Sequence, residues 1–266
     1  MEHRRFRISA ARFGVRTTSS RFAGWLDDAL DRYRVRGRGD SIYSVIVSEQ
    51  EDEGWVGRPF HILYRAGTQV VRSLSAPTLG RMLMGELESL LYPRLTDAIY
   101  LKAALLFAGE RTALLPSPFL TWIGGLGRHV ARAGISLPAT KFVAVDRSSS
   151  EIVPLRGRLE VPEDALDRLS ELVPSTGPPD RTVLDRRVAV NVVYNVVSNE
   201  HDPVSASSRA YTVQQLAGSM VNARLMGSAT LRALAGLVEG AECYQLAFGD
   251  PRSMLRAIGR TLLPSG

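Results

Sequence analysis

The run Val188–Val197 (VAVNVVYNVV) constrains the fold more than any other stretch of this chain. It is the most β-prone segment, long and nearly uninterrupted, and it reads as a strand. Such a strand needs sheet neighbours and a covering layer. Thr212–Met226 and a segment opened by Ser228 or Thr230 and running to Val238 both read as helices. Cys243–Phe248 reads as a strand, and Asp250 with Pro251 caps a last helix reaching Leu263.

The preceding residues supply further strands. Tyr100–Ala108 and Arg111–Leu115 are hydrophobic runs around a turn at Gly109, and Phe142–Val145 is a third. A loop over Ser117–Gly125 is expected to lead into a helix ending near Ala133. Asp146–Ser150 reads as a turn, Pro162–Leu172 as a short helix, and Val173–Arg181 (VPSTGPPDR) as a linker.

Residues 6–18 alternate loosely and suggest one or two strands. A helix follows from a Ser19 or Ser20 cap to about Tyr33, then a strand at Ser41–Ser48 and an acidic turn at Glu49–Gly54. Phe60–Tyr64 and Gln69–Arg72 form an expected hairpin with Gly67 in its turn, and Pro77 opens a helix to about Leu91. This order predicts an α/β protein: a small N-terminal α/β lobe, residues 1–95, and an α/β core with C-terminal helices, residues 96–266. The 266 residues, 45% apolar, suffice for that arrangement.

Charge and rare residues exclude several functions. Of 33 basic residues only Lys102 and Lys141 are lysines and the other 31 are arginines; the formal net charge is +6. The arginines are scattered along the sequence without interleaved aromatics, so no nucleic-acid partner is expected. Cys243 is the one cysteine and reads as a small hydrophobe; no disulfide or thiolate cluster follows from it. His3, His61, His129 and His201 fit no zinc spacing, so no metal is expected. No apolar run reaches the ~18 residues of a membrane span. Residues 1–15 carry arginines and no apolar core, so no signal peptide is read and a cytoplasmic protein is expected.

Several motifs resolve into ordinary structure. Gly124-Gly125-Leu126-Gly127 lacks a full dinucleotide fingerprint and its acidic partner. Asn199, His201 and Asp202 form a polar turn with no further ligands nearby in sequence. Ser205, Ser207 and Ser208 lie outside any nucleophile-elbow context. Glu163, Asp164 and Asp167 complement the dipole of the helix that they open.

One pattern goes further. Tyr100-Leu101-Lys102-Ala103-Ala104 is followed by Ala108-Gly109-Glu110-Arg111-Thr112-Ala113-Leu114-Leu115-Pro116, by Gly134, by Phe142-Val143-Ala144-Val145-Asp146 and by Val153-Pro154-Leu155. Near the end come Leu231–Val238 and Cys243-Tyr244-Gln245-Leu246-Ala247-Phe248-Gly249-Asp250. This frame resembles the HPr kinase/phosphorylase-related family, including its relatives in peptide natural-product clusters. It covers roughly residues 75–262 and the N-terminal lobe loosely. The family carries a histidine followed by alanines, a glycine-rich phosphate loop ending in Gly-Lys-Ser-Thr, a helix, and a strand with Ser-Asp-Asp.

The resemblance implies that this chain has lost the phosphate loop. Ser117 stands for the first glycine of the loop and Trp122 for the last; Ile123 replaces the lysine and Gly124 the metal-binding hydroxyl. Pro118 also lacks a backbone donor. Such loops work through convergent N–H groups, a lysine and a magnesium-holding hydroxyl. Apolar bulk there would strip a polyphosphate of water without replacing its partners. Lys102 takes the catalytic histidine position, and Thr140 and Lys141 take the two aspartates.

The resemblance therefore implies a degenerate HPr-kinase-like core, a bacterial pseudokinase without cofactor. It would bind a peptide or protein client, in a ribosomal peptide natural-product pathway by analogy. Lys102 and Lys141 are the candidate reactive groups, expected close together at the old phosphate site. Ser117, Thr121, Trp122, Arg128, His129, Thr140 and Asp146 are the candidate ligand contacts. The alternatives are a cofactor-independent peptide isomerase, epimerase or lyase using the remodelled site, and a divergent active kinase. The oligomeric state, a homo-oligomer included, stays open.

Overall fold

The computed structural model describes residues 1–8, 11–37, 41–48, 60–116, 134–136, 142–155, 159, 161–162, 164–172, 186–197, 204–247 and 251–262. The chain is mixed α/β, with two mixed sheets and six α-helices among these residues. It divides into two compact units, Met1–Leu91 with Gly157–Asp180, and Tyr92–Arg156 with Arg181–Gly266.

The first unit carries a five-stranded sheet in chain order: β1 (Glu2–Ile8), β2 (Ala11–Thr17), β3 (Ser41–Ile46), β4 (His61–Arg65) and β5 (Thr68–Ser73). Only β2 and β3 run parallel. The β4–β5 turn places Ala66 and Gly67 at φ +47° and +83°, the paired positive values of a tight hairpin. Helix α1 (Ser20–Ala29) starts where the Ser19 hydroxyl accepts the Phe22 N–H at 2.9 Å. Ser75 caps α2 (Ala76–Glu88) in the same way, with Pro77 in its first turn. Strand alternation turns Phe6, Phe13, Val15, Tyr43 and Leu63 inward, beneath Phe22, Trp25 and Leu79 of the helices. Helix α3 (Ala165–Leu172) comes late in the sequence but belongs here: the buried Trp25 Nε1–H donates to the Ala165 carbonyl at 2.6 Å.

The second unit holds β6 (Ile99–Ala108), β7 (Arg111–Pro116), β8 (Phe142–Val145), β9 (Ile152–Val153), β10 (Val192–Val197), β11 (Val204–Ala206) and β12 (Glu242–Ala247). Their order is β11-β12-β10-β7-β6-β8-β9, with β10 parallel to both β7 and β12. Leu101, Leu105, Leu114 and Val193 on one face pack with Leu216 of α4 (Arg209–Gly218) and Leu234 of α5 (Ser228–Glu239). Leu106, Leu115 and Tyr194 on the other pack with Met254 and Ile258 of α6 (Pro251–Leu262). Burial on both faces explains the unbroken apolar strands.

Among the expected elements that are shorter than the sequence suggested, two show why. Val188 bridges Ile152 at the β9 edge, whereas Val192–Val197 pair with β7 and β12, so one β-prone run serves two partners. The helix expected over Thr212–Met226 stops at Gly218 because Met220 bridges Leu101 and joins the sheet. No helix among the described residues is long and apolar enough to cross a membrane.

Candidate functional site

Strands β7, β10 and β12 run in one direction, so their carboxyl ends, at Pro116, Val197 and Ala247, share one edge of the sheet. Open α/β sheets present ligand sites at such edges. Pro116 pairs with Ala103, and the next position on β6 is Lys102. There β7 gives way to another chain segment: Lys102 donates its backbone N–H to the Ser219 carbonyl at 2.8 Å, and Val221 donates to Tyr100. Across β6 on the other side, Lys102 faces Phe142 in register.

Lys102 is exposed although its neighbours Leu101 and Ala103 are buried. On its face of the sheet it separates two apolar clusters. One holds Tyr92, Tyr100 and Ala144 with Phe142 against them; the other holds Ala104, Leu106 and Tyr194 beneath α6. Tyr92 stacks on Tyr100 at 4.7 Å between ring centroids and meets Phe142 edge-on at 5.0 Å. The arrangement sets one ammonium group at a strand end, with an aromatic wall on one side and aliphatic side chains on the other. It can hold a carboxylate or phosphate while its methylene stem covers apolar surface.

Asp146 does not join Lys102. Phe142 is level with Lys102, and Asp146 lies four residues farther along the strand direction, about 13 Å away. Its carboxylate accepts the Ser148 hydroxyl at 2.5 Å and the Ser148 and Ser149 N–H groups at 2.8 and 3.1 Å, and pairs with Arg187 at 3.1 Å. The Ser148 hydroxyl, then these N–H groups, hold its pKa down at about 2. Asp146 thus fixes a turn. Lys141, Ser117, Thr121, Trp122, Arg128, His129 and Thr140 lie outside the described residues, as do Asn199, His201 and Asp202.

A second polar group lies near the same edge and escaped the sequence reading. Asn195, 1% exposed on β10, donates its amide to Thr212 Oγ1 at 2.7 Å and to Ser207 Oγ at 3.1 Å. Thr212 passes its hydroxyl hydrogen to the Ser208 carbonyl at 3.0 Å. The Asn195 carbonyl oxygen has no partner among the described residues. The signal was one amide inside an apolar strand, Val-Val-Tyr-Asn-Val-Val, read as pure β propensity. Cys243 is half-buried against the α4–α5 cluster, as a small hydrophobe would be. Among the described residues, no group of three or more His, Cys, Asp or Glu side chains is placed to hold a metal.

No protein-family model, curated protein or solved structure matches this chain.

Proposed function

We propose that this protein is a non-phosphorylating relative of HPr kinase/phosphorylase that binds a peptide or protein client. One observation carries the reading. Lys102, at the position of the family's catalytic histidine, is exposed beside the carboxyl end of β7, and the sequence following Pro116 lacks the loop glycines, lysine and hydroxyl. An ammonium group cannot serve there as a neutral imidazole base, yet it can anchor a client's carboxylate. Tyr100 and Phe142 beside it offer apolar surface for a client side chain.

Two measurements test this. Equilibrium dialysis against ATP with Mg²⁺ is expected to show no binding; micromolar affinity overturns the reading. Mass spectrometry of candidate client peptides, incubated with protein and ATP, is expected to show unchanged masses. A gain of phosphate would restore a kinase, and any other mass change would make the protein a modifying enzyme.

A further inference from the structure

In the sheet of the first unit, helices α1 and α2 pack on one face, and β1 and β2 expose side chains on the other. Arg4 points inward, where Asp27 of α1 holds it at 2.7 Å, and Arg65 reaches Glu86 of α2 at 3.1 Å. The alternate residues of β1 and β2 therefore face away from the helices. Arg5, Arg7, Arg12 and Arg16 lie on that outer side, all exposed. Arg7 and Arg12 are direct cross-strand partners, and Arg16 continues the row towards β3, donating to Ser44 Oγ at 3.0 Å. Among the described residues no carboxylate pairs with any of these four.

Like charges directly opposite on paired strands destabilise a sheet. Here the chain sets four cations on one hairpin face while neutralising the inward Arg4 twice, through Asp27 and Glu2. Farther across the face, β3 exposes Ile46, 38% accessible, and β4 presents the half-buried Tyr64. We propose that this outer face of the five-stranded sheet is a docking surface for an acidic peptide segment in extended conformation.

The spacing fits that occupant. Arg5 and Arg7 repeat at about 6.7 Å, the interval between same-face side chains of an extended peptide. Carboxylates at alternate positions would each meet a guanidinium fork, and an apolar residue would meet Ile46. Single-stranded nucleic acid fits less well, because base stacking needs aromatic platforms and the middle strands offer Tyr64 alone. The inference rests on the first unit and is independent of the client reading of the second.

The test uses the full chain and a fluorescein-labelled peptide of alternating Glu and Val, about twelve residues long. Its glutamine counterpart and an oligothymidylate of equal length are the competitors. Anisotropy at low salt is expected to show micromolar binding of the acidic peptide and none of the glutamine peptide. The double variant Arg7→Gln/Arg12→Gln is expected to weaken it about tenfold, and Arg5→Gln alone by a smaller factor. Arg232→Gln, on the exposed side of α5, should leave it unchanged. Relief of repulsion should also raise the thermal midpoint of the double variant, which establishes that it folds. Equal affinity in parent and double variant, absence of acidic-peptide binding, or tighter binding of oligothymidylate would each overturn the proposal, the last assigning the face to nucleic acid.

Discussion

Lys102 gives its backbone N–H to Ser219, 2.8 Å away, and sends its side chain into solvent. The two halves of the residue do separate work. The backbone ties Ser219–Val221 to β6 where β7 ends; the ammonium group is left over for the proposed site. Lys102→Met is therefore expected to change unfolding free energy by less than about 0.5 kcal/mol. Lys102→Pro removes the donor inside the ladder and should cost about 3 kcal/mol or more. Urea midpoints of the two variants check this. A large loss in Lys102→Met would mean that the side chain holds the fold.

The hairpin around Gly109 and the strand Phe142–Val145 were legible because each is predominantly apolar and bounded by turn residues. The helix expected through Met226 was misjudged because its local pattern is helical, while what stops it is distant. Asn222 accepts the Tyr100 N–H and donates to the Leu95 and Ala98 carbonyls, all more than a hundred residues earlier. The basic face was invisible for a related reason. Arg7 and Arg12 look unrelated until the hairpin register sets them side by side. Position along the chain showed α3 as a helix but hid the unit it belongs to, which Trp25 fixes.

The Asn195 amide and the Thr212 hydroxyl meet at 2.7 Å in a buried setting. Asn195→Ala should destabilise the second unit by about 1–3 kcal/mol, since it strips the Thr212 and Ser207 oxygens of their donor. Adding Thr212→Val should then cost less than it does alone, giving a coupling of at least about 0.5 kcal/mol. Strictly additive losses in the double-mutant cycle would show that the hydrogen bond contributes nothing.

Asp146 sets a pH dependence. Its pKa falls from 3.8 in the unfolded chain to about 2 in the fold. Between those values the unfolded chain binds the proton more readily, so stability rises as pH rises and drops as pH drops. The contribution is fully present above the unfolded value and is lost as pH drops through about 2. Asp146→Ala should be less stable than the parent near neutral pH, and the gap should narrow as pH falls below about 4. A gap that stays constant down to about pH 2 would mean that the Ser148 hydroxyl and the two serine N–H groups do not hold the carboxylate as the geometry indicates.

Ser150 and Gly236 are in mutual constraint. Ser150 sits at φ +60°, a conformation that side chains other than glycine tolerate poorly, and its hydroxyl oxygen lies 2.5 Å from where a β-carbon on Gly236 would be. The Ser150 β-carbon is itself 3.1 Å from that point, so rotating the hydroxyl away does not clear the space. Gly236 lies inside α5, where alanine would otherwise stabilise by about 1 kcal/mol. Gly236→Ala alone should therefore gain nothing or lose stability, because the clash opposes the helix propensity. Ser150→Gly alone should stabilise by about 1 kcal/mol by relieving the positive φ. In the Ser150→Gly background the clash is gone, and Gly236→Ala should show its full helical gain. Thermal and urea unfolding of the four combinations measure the sign change directly. If Gly236→Ala has the same effect in both backgrounds, the two residues do not touch.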